Sequence, residues 1–243
     1  MQLVLLAAGK GSRLDLPITN KCFAKVCDKY LLDYNLEMFL ACKLSEIIIV
    51  TGYNAEYIKK YIGNTYHGIS VTYVMQEQLL GVAHALKIAS DYIHEDFIMC
   101  LSDELFINPT VNEMYCYFKD SQCDCLCGAV TDTVENIQKA YTMDLTTDGT
   151  ILQLIEKPHF VFNEWKGTGC CFMKQTMLTV LKKLLPNAKR NEYEMGDWIQ
   201  LAVNYGLKCK MYPISDANFN INTTNEILLA ESYFANPKEN IHK

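Results

Sequence analysis

Short apolar runs alternate with amphipathic stretches through the first hundred residues. Residues 3–7 (LVLLA) are continuously apolar, as in a strand covered on both faces. Residues 46–51 (EIIIVT) are rich in β-branched side chains and predict a second strand. Residues 70–75 and 97–101 predict a third and a fourth. Between them, apolar positions at helical spacing predict helices over 31–44, 55–62 and 81–93, the last opened by Gly81. This alternation predicts a Rossmann-like, doubly wound α/β sheet with largely parallel strands.

Beyond residue 110 the rhythm changes. Residues 114–119 continue a helix, and strands are predicted at 124–130, 140–145, 151–155, 169–174 and 208–212. Helices are predicted at 175–185 and 197–205, with Thr147-Asp148-Gly149 as a turn and Pro186-Asn187 as a loop. No repeat, low-complexity tract or clean linker interrupts the chain. It therefore reads as a single domain over 1–243, whose second half (111–235) is a substrate lobe built onto the first (1–110).

Composition narrows the function. The formal net charge is −6, which argues against general nucleic-acid binding, since that gains from a basic surface. It leaves room for one phosphorylated ligand held by a few cations. No stretch reaches the roughly 18 apolar residues of a membrane span. Residues 1–9 lack a basic leading segment, so a signal peptide is not expected. Eleven cysteines, an odd number, read as free thiols in a reducing cytoplasm. Cys123, Cys125 and Cys127 alternate in a strand-like run and are expected on one face, as apolar packing rather than a metal site, because no histidine lies near.

The strongest chemistry follows the first strand: Leu6-Ala7-Ala8-Gly9-Lys10-Gly11-Ser12-Arg13-Leu14. Glycines let the backbone approach a phosphate, and successive N–H groups make an anion-binding nest. Ser12 adds a hydroxyl and Arg13 a bidentate cation. A dinucleotide fingerprint would place a third glycine where Leu14 stands, and a P-loop would need a different glycine spacing. Lys21, beyond a loop bearing Pro17, supplies a second cation where charge builds on phosphoryl oxygens.

These residues resemble the opening of the sugar-1-phosphate nucleotidyltransferases, the family of glucose-1-phosphate thymidylyltransferases and N-acetylglucosamine-1-phosphate uridylyltransferases. The resemblance runs to about Ala230. Its other anchors are Gln76-Glu77-Gln78-Leu79-Leu80-Gly81, Ser102-Asp103, Glu156-Lys157-Pro158, Thr168-Gly169, Asn191 to Asp197, and Asn218-Phe219-Asn220-Ile221-Asn222-Thr223. It implies transfer of a nucleotidyl group from a pyrimidine NTP to a small phosphorylated acceptor, a sugar 1-phosphate, with release of pyrophosphate and dependence on Mg²⁺. Ala8, Gly9, Gly11, Ser12, Gln76 and Gly81 would bind the nucleotide, and Asp103 and Asn220 the metal. Arg13, Lys21 and Lys157 would be catalytic. Tyr141, Glu156, Gly169 and Glu194 would bind the acceptor. Three departures bear on the acceptor and the metal turn: Thr142 follows Tyr141 where the family has glycine, Cys22 replaces a proline, and Ser102 replaces a glycine. A cytidylyltransferase for a phosphonate, phosphocholine or polyol phosphate stays open, as does a regulatory homologue without turnover. The late helices carry apolar surface suited to a homo-oligomer.

Overall fold

A computed structural model of the chain describes residues 1–9, 11, 14 and 20–235. In chain order the first half comprises β1 (Gln2–Ala7), β2 (Lys25–Val26), β3 (Lys29–Tyr30), α1 (Leu31–Glu37), β4 (Glu46–Thr51), α2 (Ala55–Ile62), β5 (Thr65–Tyr66), β6 (Ile69–Met75), α3 (Val82–Ala89), β7 (Phe97–Leu101) and β8 (Glu104–Ile107). The second half comprises α4 (Val111–Ser121), β9 (Cys125–Thr131), α5 (Val134–Ile137), β10 (Tyr141–Leu145), β11 (Ile151–Glu156), β12 (Trp165–Met173), α6 (Thr176–Leu181), α7 (Met195–Asn204), β13 (Cys209–Pro213), β14 (Ala217–Asn220) and α8 (Thr224–Ala235).

Eight strands form one sheet in the order β13-β9-β12-β7-β1-β4-β6-β5. β7, β1, β4 and β6 are parallel, whereas β12 runs antiparallel to both β7 and β9. The expected doubly wound mixed sheet is therefore present. The chain steps outward from β1 to β4 and β6, then returns through α3 to β7 on the other side of β1. Ligands of open α/β sheets bind outside the carboxyl ends of strands at such a reversal. Here those ends are Ala7 to Gly9 and Leu101 to Asp103, and the Ser102 N–H donates to the Leu6 carbonyl at 3.1 Å.

Side chains alternate across the sheet into two cores. Val4 and Leu6 of β1 and Ile48 and Val50 of β4 pack under α3, α6 and α7, around Trp198. Leu3 and Leu5, with Ile47 and Ile49, face α1, α2 and α4, around Phe39 and Phe118. Both faces of the parallel strands are thus apolar, as their runs predict.

Three expectations are corrected. The helix over 31–44 stops at Glu37, and Leu40–Cys42 forms a 3₁₀ turn. Leu36, Phe39 and Cys42 are fully buried and spaced by three, the period at which 3₁₀ side chains eclipse. The helix over 81–93 likewise ends at Ala89, where the Ser90 hydroxyl donates back to the Lys87 carbonyl. Cys123 does not share a face with Cys125 and Cys127. It precedes the strand and packs in the other core beside Phe118. Cys125, Cys127 and Cys171 lie together under the α6–α7 layer, closed to water, where hydrogen bonding among the neighbouring thiols, with burial added, raises the Cys125 and Cys127 thiols. Their three sulfurs lie within 4.8 Å of one another.

Candidate active site

A cleft of about 290 Å³ opens over the carboxyl ends of the central strands, lined by Leu6, Ala8, Gly9, Asn20, Lys21, Gln76, Gly81, Ser102 and Asp103 among others. Ser12 and Arg13 of the expected phosphate loop lie outside the described residues. What is described of the loop fits a close approach to a ligand. A Cβ on Gly9 would meet nothing within 4 Å. Gly11 has φ +65°, where L side chains are strained, and a Cβ there would lie 2.9 Å from the Lys21 nitrogen.

Asn20 sets the position of Lys21. Its side-chain amide donates to the carbonyls of Ala7 (3.1 Å) and Tyr53 (3.2 Å), and its Oδ1 accepts from the Cys22 N–H. This caps the 3₁₀ turn Lys21–Phe23 against the end of β1. Cys22, where the resemblance has proline, is fully buried in the second core and does not line the cleft. Lys21 Nζ then lies 2.8 Å from Asp103 Oδ2 and also donates to Asn222 Oδ1.

Asp103 occupies the turn between β7 and β8, and β14 pairs antiparallel with β8, setting Asn220 opposite Glu104. The Ile221 N–H donates to the Asp103 carbonyl at 2.8 Å. Asn220 Oδ1 accepts from the Asn222 amide at 2.8 Å, so the two residues expected to hold a metal stand on adjoining strand ends with Asn222 and Lys21 between them. The start of α8 secures Asn222: Glu226 accepts from the Thr223 N–H, and the Thr223 hydroxyl from the Glu226 N–H, a capping box.

Beneath this junction lies a buried polar network. Both Glu104 carboxylate oxygens accept from the Gly169 N–H, at 3.0 and 2.9 Å, and one also from Asn218 at 3.1 Å. Burial pushes the Glu104 carboxyl up to about 7, against the lowering effect of the Gly169 N–H. Lys166, itself buried, pairs with Asp132 and donates to the Asn218 carbonyl at 2.9 Å.

The expected acceptor residues divide into two groups. Glu156, Lys157 and Glu194 come together: Lys157 Nζ lies 3.6 Å from Glu194 and Arg190 Nε 2.7 Å from the same carboxylate. Lys157 has φ +48° and its N–H donates to the Ala140 carbonyl, which turns the chain sharply at this point. Burial, with the Glu194 carboxylate beside it, pushes the Glu156 carboxyl up to about 7. Tyr141 and Gly169 lie deeper. Tyr141 is buried with its hydroxyl donating to the Thr168 carbonyl, and its ring fills the space a Gly167 side chain would need. A Cβ on Gly169 would lie 2.3 Å from Leu101. Thr142 is fully buried, its hydroxyl 2.9 Å from both Asn163 Oδ1 and the Trp165 carbonyl, so it does not present a polar wall.

One end of the cleft is built around Gln76 and Gly81. Gln76 Nε2 lies 3.0 Å from His84 Nδ1 and 3.4 Å from the Gly81 carbonyl. Gly81 has φ +102°, and a Cβ there would lie 2.5 Å from the Tyr193 carbonyl oxygen. Segment 192–194 therefore joins both ends of the site: Glu192 lines the cleft, Tyr193 braces the Gly81 turn, and Glu194 meets Lys157. Sequence reading missed Glu104, Lys166, Asn218, Asn222 and Arg190. Asn218 and Asn222 carried a signal, each two residues from Asn220 on the same segment.

Comparison with known proteins agrees with this arrangement. A family model described as nucleotidyl transferase matches residues 2–217. The UTP–glucose-1-phosphate uridylyltransferase of Haloferax volcanii is 30% identical over 210 residues, covering 85% of each chain. A glucose-1-phosphate thymidylyltransferase of Streptomyces antibioticus is 28% identical over 211 residues, 85% of this chain but 58% of that protein, so this chain spans little more than half of some relatives. A solved UDP-glucose pyrophosphorylase, complexed with UDP-glucose, superposes with a TM-score of 0.85 at 21% identity, over 98% of this chain and 99% of that one, which shows the shared fold. With a glycine loop after β1, a lysine–aspartate junction at the sheet reversal and a family match over most of its length, the chain belongs to the nucleotidyl transferase family.

Proposed function

We propose that the protein transfers a uridylyl or thymidylyl group from the NTP to a sugar 1-phosphate, releasing pyrophosphate. The observation that carries this reading is the junction of Lys21, Asp103 and Asn222 beside Asn220, at the mouth of a cleft whose other end is Gln76 and Gly81.

The acceptor phosphate is already a nucleophile at neutral pH and needs no general base. One of its oxygens attacks the α-phosphorus in line, and the bond to pyrophosphate breaks. The chain's task is positioning and charge stabilisation. Gly9 and Gly11 admit the triphosphate to the backbone, and Lys21, with Arg13, offsets charge on the α-phosphate and the leaving pyrophosphate. Lys157, turned out by its positive φ and flanked by Glu156 and Glu194, aligns the acceptor phosphate, while those carboxylates take sugar hydroxyls. Tyr141 and Gly169 act as the floor under the acceptor. Asp103 and Asn220 offer a carboxylate and an amide oxygen, the hard donors that suit Mg²⁺. Bound there, Mg²⁺ would neutralise triphosphate oxygens.

Pyrophosphate release should be measured with Mg²⁺ across the four NTPs and dTTP, against hexose 1-phosphates, phosphocholine and small phosphonates. Turnover with UTP or dTTP and a hexose 1-phosphate is expected. Turnover confined to CTP with phosphocholine or a phosphonate would overturn the acceptor, and silence across the panel would overturn the transferase reading.

A further inference from the structure

We propose that His84 determines which base the protein accepts, by locking the Gln76 amide so that its carbonyl, and not its N–H, faces the nucleotide. The inference rests on reading the cleft as a nucleotide site.

Gln76 is 4% exposed, at the end of β6, with its backbone N–H donating to the Thr51 carbonyl at 2.7 Å. Little of it can turn except the terminal amide. That amide has two ways round, and its neighbours decide between them. The Gly81 carbonyl, 3.4 Å away, can only accept, so an amide oxygen placed there would set lone pair against lone pair. Nε2 must occupy that side, and its second N–H then points at His84 Nδ1, 3.0 Å away. The histidine ring must accept at Nδ1 and carry its proton on Nε2. Burial and the Lys87 charge lower the His84 pKa, which keeps the ring neutral as this tautomer requires.

The ring is itself held in place. It stacks on Tyr193 at 5.8 Å and 27°, and Tyr193 is tied by backbone hydrogen bonds to Leu80 (2.7 Å) and Ala83 (2.9 Å). Both amide N–H groups of Gln76 are thus committed within the protein, and Oε1 is the atom left to read a ligand. An acceptor alone selects a base edge that donates. The ring N–H of uracil or thymine does so. Cytosine places a lone pair at the same ring nitrogen, which would leave two acceptors facing each other in the cleft. The residues that handle triphosphate have no part in this choice, so specificity and catalysis separate.

The test is nucleotide binding by calorimetry without acceptor, with UTP, dTTP, CTP and 3-methyl-UTP, on wild type, His84→Phe and His84→Asn. Phenylalanine keeps the stacking on Tyr193 and removes the acceptor, while asparagine offers an amide oxygen in its place. Wild type should prefer UTP and dTTP over both CTP and 3-methyl-UTP. His84→Phe should shrink the UTP-to-CTP ratio by about tenfold, the effect of one neutral hydrogen bond with its burial penalty. His84→Asn should recover much of the ratio. A wild-type preference for CTP, or a His84→Phe protein in which all four nucleotides weaken in parallel with the ratio intact, would overturn the proposal. A wild type that binds none of them would overturn the nucleotide reading of the cleft, and this inference with it.

Discussion

Replacing Lys21 with methionine removes one nitrogen from the junction and keeps most of the alkyl stem. Its partner Asp103 is 22% exposed and Lys21 itself 18%, so water reaches both and the pair contributes modestly to stability. An ion pair of this exposure is worth about 1 kcal/mol. For a chain this long, that lowers the midpoint of thermal unfolding by roughly 2–4 °C. The kinetic effect should be far larger. A preorganised donor aimed at developing charge is worth about 2.7–4 kcal/mol, or 10²–10³ in turnover. Pyrophosphate release and thermal unfolding, measured on one preparation, therefore yield two numbers of different size. Turnover within tenfold of wild type in a folded Lys21→Met protein would refute the reasoning. A further comparison separates two roles for the lysine. If Lys21 served only to hold the Asp103 carboxylate, then adding Lys21→Met to Asp103→Asn would cost nothing more. A role against phosphate charge requires a second loss in that background, because neither the amide put in place of the Asp103 carboxylate nor Asn222 supplies a cation.

Two further outcomes follow from the site. Asn220→Asp adds a charge to the donor pair beside Asp103 without changing its shape, so the Mg²⁺ concentration for half-maximal activity should fall; an unchanged Mg²⁺ requirement would remove Asn220 from the metal site. Glu156 carries a carboxyl raised to about 7 from an ordinary 4.5, by burial first and Glu194 second. Below pH 4.5 it is protonated whether folded or unfolded and has no effect. Between 4.5 and 7 the unfolded chain ionises first, so stability falls as pH rises, by about 3 kcal/mol over the window. Glu156→Gln should lose that slope, which denaturant titrations at pH 4.5 and 7.5 on both proteins would register, and equal slopes would contradict the assignment.

The parts legible in the sequence share a physical cause. β1, β4 and β7 are buried on both faces, so their apolar runs are continuous, and the expected bounds of 46–51 and 97–101 match the strands. α2 is amphipathic and likewise matches. What was missed lies where pattern is weak. β8 is four residues long, and β14 (ANFN) carries two asparagines that read as loop. The first four residues of β12, before Gly169, hold Gly167, which reads as a turn, and the register with β9 shifts between Gly167 and Cys171. In the site, Lys21 stood out as a cation soon after the glycine loop, and Asp103, Gln76 and Gly81 through the resemblance of their segments to the family's motifs. Glu104, Lys166 and Asn218 did not, because their roles are to one another and come from three separate strands.

Those three residues show how Asp103 and Asn220 can be held on a ladder that is not part of the main sheet. β8 and β14 pair only with each other among the described strands, so the sheet's own hydrogen bonds do not fix where Asp103 and Asn220 stand. Glu104 reaches across to the Gly169 N–H of β12, and Lys166 of β12 reaches back to the Asn218 carbonyl of β14. Each buried charge is hydrogen-bonded, yet the Glu104 carboxyl is still raised to about 7, so burying it costs stability relative to an apolar contact. An apolar contact between ladder and sheet could slide. The carboxylate grips one N–H of β12 and one amide of β14 together, and that gives the ladder a single position. Stability yields here to register, because the strand ends that carry Asp103 and Asn220 then keep a fixed separation from each other and from Lys21.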